Sequence, residues 1–128
     1  MPRELFALHR YYIWANRMRT QFDEILSKGV PVGKTEIECF LYMSYWYGGL
    51  YVVIEGWRVL KLADPTIDTL LKSPNVKLLR EYRNGTFHFQ RKYLSDKFTG
   101  LFAKGIDVVT WVRALNLEFG RYFLEAKP

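Results

Sequence analysis

Apolar residues recur every three or four positions through residues 2–28 of this chain. The members of this stripe are Leu5, Leu8, Tyr12, Ala15, Met18, Phe22 and Ile25. Charged residues such as Arg10 and Asp23 fall largely outside it. A step of three to four residues is the period of a helix that buries one face. The pattern therefore predicts a first helix over residues 2–28, which Gly29 and Pro31 end.

A second, longer helix is predicted to begin at a capping box. Thr35 can accept a hydrogen bond from the backbone near Glu38, and the Glu38 carboxylate can reach back to the cap. The helix extends to about residue 62, so it would be about 40 Å long and form the central member of a bundle. Gly48 and Gly49 lie inside it, and each costs about 1 kcal/mol in helix propensity. Either the close approach of a neighbouring helix or a kink would account for them.

The rest of the chain also carries helix signals. Asp64-Pro65 and Ser73-Pro74 each indicate an N-cap followed by proline at the first helical position. The predicted segments are a short helix over residues 66–72, a longer helix from residue 74, a helical turn with a loop over residues 95–105, and a last helix over residues 106–126.

Together these segments predict an all-α fold, a four- to five-helix up-down bundle in a single domain over residues 1–128. Hydrophobic residues make up 49% of the chain and charged residues 25%, which excludes an intrinsically disordered protein. The lone Cys39 allows no internal disulfide and favours a reducing compartment. No apolar leader is visible, and the longest uncharged run, the sixteen residues from Cys39 to Ile54, is too short to span a bilayer. We therefore expect a cytoplasmic protein with no membrane partner.

The positive charge of the chain is concentrated in one stretch. The formal net charge is +6, and residues 77–92 hold five basic residues and a single acid, Glu81. Such an excess favours an acidic partner such as nucleic acid. The candidates for RNA contact are Lys77, Arg80, Arg91 and Lys92. A solvated helix face is the competing interpretation.

Arg83, Asn84 and His88 lie within this basic stretch. Imidazole can transfer protons near neutral pH, and guanidinium is a permanent cation that grips phosphate oxygens, so the combination indicates a site for a phosphodiester. Asn84-Gly85 also favours a hairpin turn, but apolar residues at helical spacing on both sides favour a helix through the motif. On that helix Arg80, Asn84 and His88 would form one stripe. Arg83 and His88 would point about 140° apart, so they could meet only in a cleft with a wall from another element.

The Arg-Asn-x-x-x-His pattern of residues 83–88, on a late helix of a small all-α protein, resembles the motif of the HEPN superfamily, named for higher eukaryotes and prokaryotes. The resemblance rests on these six residues and a compatible helix order over most of the chain. It implies a metal-independent endoribonuclease of the toxin or defence type, which uses no cofactor and cleaves RNA by attack of the 2′-OH. In that role His88 would act as general base or general acid, Arg83 would stabilise charge on the phosphate, and Asn84 would orient the pair. The resemblance also implies a homodimer with two such pairs near its two-fold axis, and an antitoxin or regulatory protein is a candidate partner.

Two further positions bear on this resemblance. Gln90 stands where some toxin-type members carry a tyrosine, so regulation by modification of that tyrosine is not implied. Glu55 ends the long apolar run and is a candidate for the supporting acid that the family often adds, although it could equally mark a helix surface. Two alternatives stay open. One is a catalytically silent HEPN-like module that binds RNA, a nucleotide or a protein, and the other is a helical scaffold whose exposed aromatic side chains bind another subunit.

Overall fold

The computed structural model of the protein describes residues 2–126, which form six helices and no strand. The helices are α1 (Arg3–Ser27), α2 (Lys34–Val59), α3 (Pro65–Leu70), α4 (Asn75–Phe87), α5 (Asp96–Lys104) and α6 (Val108–Glu125). The all-α prediction is confirmed for these residues. The predicted number of four to five helices is wrong, because α5 is a complete helix that buries Leu101 instead of a turn with a loop. No helix within residues 2–126 combines the length and the apolar content that a bilayer crossing requires.

One hydrophobic core is shared by all six helices. Its largest fully buried aromatic side chains are Trp46, Trp57, Tyr82 and Phe119. The indole N–H groups keep partners inside the core, since Trp46 Nε1 donates to Asn116 Oδ1 at 3.0 Å and Trp57 Nε1 donates to Asp68 Oδ1 at 3.0 Å. Large aromatic residues can therefore fill this core without leaving a buried donor unsatisfied.

Helices α1 and α2 approach each other closely at Gly49. A methyl group at position 49 would lie 3.1 Å from the Cβ of Ala15 and 3.5 Å from its Cα. Gly56, two turns further along α2, lies against Leu8, two turns earlier on α1, so the two helices run antiparallel. Helix α2 continues through both of its central glycines from Lys34 to Val59. Of the two explanations for these glycines, the close approach of a neighbouring helix therefore holds at Gly49.

The predicted helix caps are formed in part. Asp64 Oδ2 accepts hydrogen bonds from two backbone N–H groups in the first turn of α3, both at 3.1 Å, so this predicted cap is confirmed. The predicted capping box of Thr35 and Glu38 is wrong. Helix α2 begins at Lys34, with Gly33 at φ 60° in the cap position two residues before Thr35, and no side chain caps it. Because a glycine adopts this positive φ without strain, the helix starts there and Thr35 falls inside its first turn.

A polar network joins α1 to α2 and α6. The Asn116 amide, which accepts from α2, also donates to Asn16 Oδ1 of α1 at 3.0 Å. Arg113 Nη2 of α6 and Arg19 Nη1 of α1 each donate to Asp23 at 2.7 Å. The hydrogen bond from Arg113, supported by the Arg19 contacts, lowers the pKa of the Asp23 carboxyl although partial burial opposes this shift. The carboxylate form of Asp23 therefore contributes to the packing of α6 on α1.

Candidate functional site

The Arg83 side chain is held by contacts from two helices. Its Nη1 donates to Glu55 Oε1 of α2 at 2.9 Å, and its Nε donates to Asn84 Oδ1 at 3.1 Å. The guanidinium carbon lies over the ring of Tyr51, 5.1 Å from the ring centre. The Arg83 side chain nevertheless stays 24% exposed. Arg83 is therefore fixed in orientation and still reachable from solvent.

These contacts form because α2 and α4 pack side by side. Tyr51 and Glu55 are four residues apart on α2, so they lie one turn apart on the same face. On α4, the buried Leu79 and Tyr82 face the core, which leaves Arg83 at the edge of the helix beside α2. The structure thus brings the predicted supporting acid, Glu55, into contact with the predicted arginine.

His88 lies directly after the end of α4. Its backbone is extended, with φ −116° and ψ 131°, and its N–H donates to Asn84 O at 2.9 Å to close the last turn. The imidazole is exposed, and within residues 2–126 it has no hydrogen-bond partner. The prediction that the helix continues through His88 is therefore wrong. As a consequence, Arg80, Asn84 and His88 do not form a helical stripe.

Phe87, the last residue of α4, packs on α2. Its ring lies against α2, where a methyl group at position 48 would be 2.8 Å from the nearest ring carbon. The same ring meets Tyr45 edge to face, with ring centres 5.6 Å apart. After this contact the chain leaves the helix at His88, whose backbone is extended. The position of His88 relative to Arg83 is therefore set by the connection over residues 88–95 as well as by α4.

The four basic residues predicted to contact RNA fall in two places. Lys77 and Arg80 are exposed on α4, where they line a recess of about 320 Å³ together with Arg58 of α2. Arg91 and Lys92 are exposed in the connection that follows α4. The structure therefore groups Lys77 and Arg80 with Arg58, which the sequence did not single out.

The charges around the site are unevenly balanced. The positive charge of Arg83 is paired with Glu55. In contrast, no carboxylate within residues 2–126 forms a salt bridge with Arg58, Lys77 or Arg80. The uncompensated positive charge thus lies in the recess beside Arg83 and not at Arg83 itself. An anion that approaches this side of the protein is attracted first to the recess.

An apolar surface lies on the other side of α2, and we call it the aromatic face. It consists of Tyr11, Trp14, Tyr45, Val52 and Phe87, which line a recess of about 310 Å³ together with Ala15, Met18 and Gly49. Trp14 is 56% exposed and Phe87 is 50% exposed. A neighbouring recess shares Tyr11 and Val52 and reaches Glu55. The aromatic face therefore includes Phe87, the residue before His88, and the neighbouring recess reaches Glu55, the partner of Arg83.

Other reactive side chains have structural surroundings. His9 is stacked on Phe123 with ring centres 4.9 Å apart, in agreement with a packing role. Burial, assisted by the nearby Glu36, raises the pKa of the half-buried Cys39 thiol, which makes it a poor nucleophile. In the part of the chain that the structure describes, no three His, Cys, Asp or Glu side chains are grouped closely enough to hold a metal ion. The strongest candidate for chemistry is thus the contacting set of Arg83, Glu55 and Asn84, together with the imidazole of His88, which the structure places just after α4 without a contact to that set.

Tyr51 and Arg58 are members of the site that the sequence did not reveal. Together with Glu55 they follow one another at steps of four and three along α2, and this helical spacing next to a candidate acid is the signal that could have identified them. Comparison with known proteins adds no assignment, because no family model, no curated protein and no solved structure matches this chain. Function therefore has to be inferred from the side chains of the site.

Proposed function

We propose that this protein is a metal-independent endoribonuclease of the HEPN type, of the kind that acts in toxin or defence systems. The observation that carries the proposal is the combination of an anchored Arg83 with an exposed His88 directly after the same helix. An oriented guanidinium can hold a phosphate through parallel hydrogen bonds, and an imidazole can transfer protons near neutral pH. The two groups are both accessible to a strand that approaches from solvent.

The reaction needs only groups of the protein and of the RNA. His88 removes the proton from a ribose 2′-OH, and the oxygen attacks the adjacent phosphorus to form a 2′,3′-cyclic phosphate. The bond between phosphorus and the 5′-oxygen breaks, and this oxygen takes a proton from a protonated imidazole. Arg83 stabilises the additional negative charge that the phosphate carries in the transition state. Asn84, which accepts a hydrogen bond from Arg83 Nε, keeps the guanidinium oriented.

The aromatic face supports a homodimer as the active form. Exposed apolar patches of this kind are typical of surfaces that bind another protein. Phe87 belongs to this face and immediately precedes His88, so a second copy packed there would bring its own His88 towards that of the first. One His88 can then act as base while the other acts as acid. An antitoxin or regulatory protein could use the same face to block the site.

A cleavage assay in EDTA tests the proposed reaction. We expect the wild-type protein to cleave single-stranded RNA and to leave 2′,3′-cyclic phosphate ends, and we expect His88→Ala to lose this activity by at least about a hundredfold, the range typical of general acid–base catalysis. Phe89→Ala is the matched control, since Phe89 adjoins His88, is 92% exposed and carries no titratable group. Equal cleavage by the wild-type and His88→Ala proteins would rule out the enzyme.

The ion pair between Glu55 and Arg83 favours a second candidate, a catalytically silent module of the same type that binds RNA. In that case the arginine serves mainly to join α2 to α4 and to contact a strand. RNA binding without cleavage, lost in Arg83→Ala and unchanged in His88→Ala, would select this function. Circular dichroism of each variant separates a loss of binding from a loss of folding.

A further inference from the structure

A recess between α2 and the beginning of α4 carries a chemistry of its own. Tyr51 and Arg58 line it from α2, and Ser73, Lys77 and Arg80 line it from the start of α4 and the residues before it. Its volume of about 320 Å³ is about ten times that of a water molecule in the liquid. The recess is thus large enough to take a phosphate group with part of a sugar.

The recess concentrates positive charge that has no ion-pair partner. Among the described residues, salt bridges to carboxylates are formed by Arg19, Lys28, Arg83, Arg113 and Arg121. The recess instead gathers Arg58, Lys77 and Arg80 with no acid in its lining and no ion-pair partner among the described residues. Like charges that share a concave surface repel one another, and a bound anion removes this repulsion.

The recess is continuous with the site at Arg83. Tyr51 forms part of its wall, and the ring of the same tyrosine lies beneath the Arg83 guanidinium. Arg80 precedes Arg83 by three residues on α4, which places the two about 4.5 Å apart along the helix axis. An extended polyanion can therefore contact the recess and Arg83 at the same time.

We propose that this recess binds a backbone phosphate of the RNA strand that Arg83 and His88 act on, one next to the phosphate that is cleaved. The identity of the ligand as RNA rests on the proposed function. Arg58 and Arg80 supply guanidinium groups, and Lys77 supplies a point charge. Ser73 Oγ accepts the Asn75 N–H at 3.1 Å, so its hydroxyl proton is available to a phosphate oxygen. Arg91 and Lys92, in the following connection, are not part of this subsite.

The salt dependence of RNA binding tests the subsite. The recess variant Arg58→Gln/Lys77→Gln/Arg80→Gln is compared with Arg3→Gln/Arg17→Gln/Lys34→Gln, which removes the same charge from exposed positions that do not line the recess and form no salt bridge among residues 2–126. Both sets are made in the His88→Ala background so that cleavage does not interfere. Affinity for a labelled oligouridylate is measured by fluorescence anisotropy over a range of salt concentrations, with uridine 5′-monophosphate and inorganic phosphate as separate competitors.

We expect the slope of log affinity against log salt to decrease by about 0.7 in the recess variant, the value for one phosphate contact to a single strand. This corresponds to about fivefold weaker binding at about 0.1 M salt, while the control variant keeps the parent slope. Equal slopes for the two variants, or no RNA binding by the parent, would overturn the proposal. Competition by uridine 5′-monophosphate or phosphate as effective as that by the oligomer would also overturn it, because the ligand would then be a small anion. Cleavage of RNA by the wild-type protein is measured separately. The subsite can therefore hold even if the ribonuclease function fails.

Discussion

Replacing Gly49 with alanine tests the close contact between α1 and α2. A new Cβ at this position would lie 3.1 Å from the Cβ of Ala15, whereas carbon atoms in favourable contact are about 3.5–4.0 Å apart. Because the backbone of Ala15 is also near, the strain cannot be relieved by moving a side-chain tip. Overpacking of this kind costs about 1–3 kcal/mol, and the substitution gains about 1 kcal/mol in helix propensity. We expect Gly49→Ala to lower the free energy of unfolding by up to about 2 kcal/mol.

Gly100 provides the matched control. It lies inside α5, and no atom would come within 4 Å of a methyl group at this position. Gly100→Ala should therefore gain the full helix propensity of about 1 kcal/mol without any clash. The two variants should differ by about 1–3 kcal/mol in urea unfolding followed by circular dichroism. A gain in stability for Gly49→Ala equal to that for Gly100→Ala would refute the close contact.

A double variant makes this test independent of helix propensity. In Ala15→Gly/Gly49→Ala the methyl group moves from α1 to α2, so the space between the helices still holds one methyl group. The losses in the free energy of unfolding of the two single variants should then not add. A favourable coupling of about 0.5–3 kcal/mol is expected for residues in contact. Additive effects would mean that positions 15 and 49 do not meet.

Three further predictions concern polar groups. Asp23→Asn should make the free energy of unfolding less sensitive to acid. Arg113 lowers the pKa of the Asp23 carboxyl, so the carboxylate contributes to the free energy of unfolding above the unfolded-state pKa of about 3.9. This contribution is lost as the pH falls through the lower folded-state pKa. Urea unfolding between about pH 2 and pH 6 would measure this, with Glu24→Gln, an exposed neighbour, expected to behave like the wild type. Asn116→Ala should cost about 1–3 kcal/mol in the free energy of unfolding because it leaves a buried indole N–H without an acceptor, and an unchanged urea midpoint would contradict the network. Glu55→Gln should change stability by less than about 1 kcal/mol, since the ion pair is partly exposed, yet should tighten RNA binding by removing a competing carboxylate; weaker RNA binding would show that the carboxylate does not compete for the arginine.

The long helices are predictable because each must bury one face. The apolar stripe over residues 2–28 corresponds to α1 at Arg3–Ser27, and that over residues 106–126 corresponds to α6 at Val108–Glu125. Helix α5 is harder to foresee, since it has only nine residues and its packing on α4 supplies much of its stability. Unlike the shorter α3, which the Asp64-Pro65 signal predicts, α5 has no side-chain cap and depends on tertiary contacts that no local pattern records.

The candidate site is predictable in its residue types and not in its geometry. Arg83, Asn84 and His88 can be selected from chemistry and spacing, but α4 ends at Phe87, so His88 lies outside the helix. The pairing of Arg83 with Glu55 joins residues 28 positions apart, so it follows only from the packing of α2 on α4. Local helix signals continue past residue 87, although the helix itself does not.

The occupied state of Arg83 has a consequence for which anions it admits. Its guanidinium already pairs with the Glu55 carboxylate, so an incoming anion shares the arginine with that carboxylate and gains little net charge pairing from the arginine alone. A small ion in dilute solution makes no other contact with the protein that would compensate for this weak attraction. A polymer that is bound at neighbouring points presents its next charged group at a high local concentration, which raises the occupancy of Arg83 by that group. We therefore expect Arg83 to bind a chain that is held at neighbouring points more tightly than a small free anion.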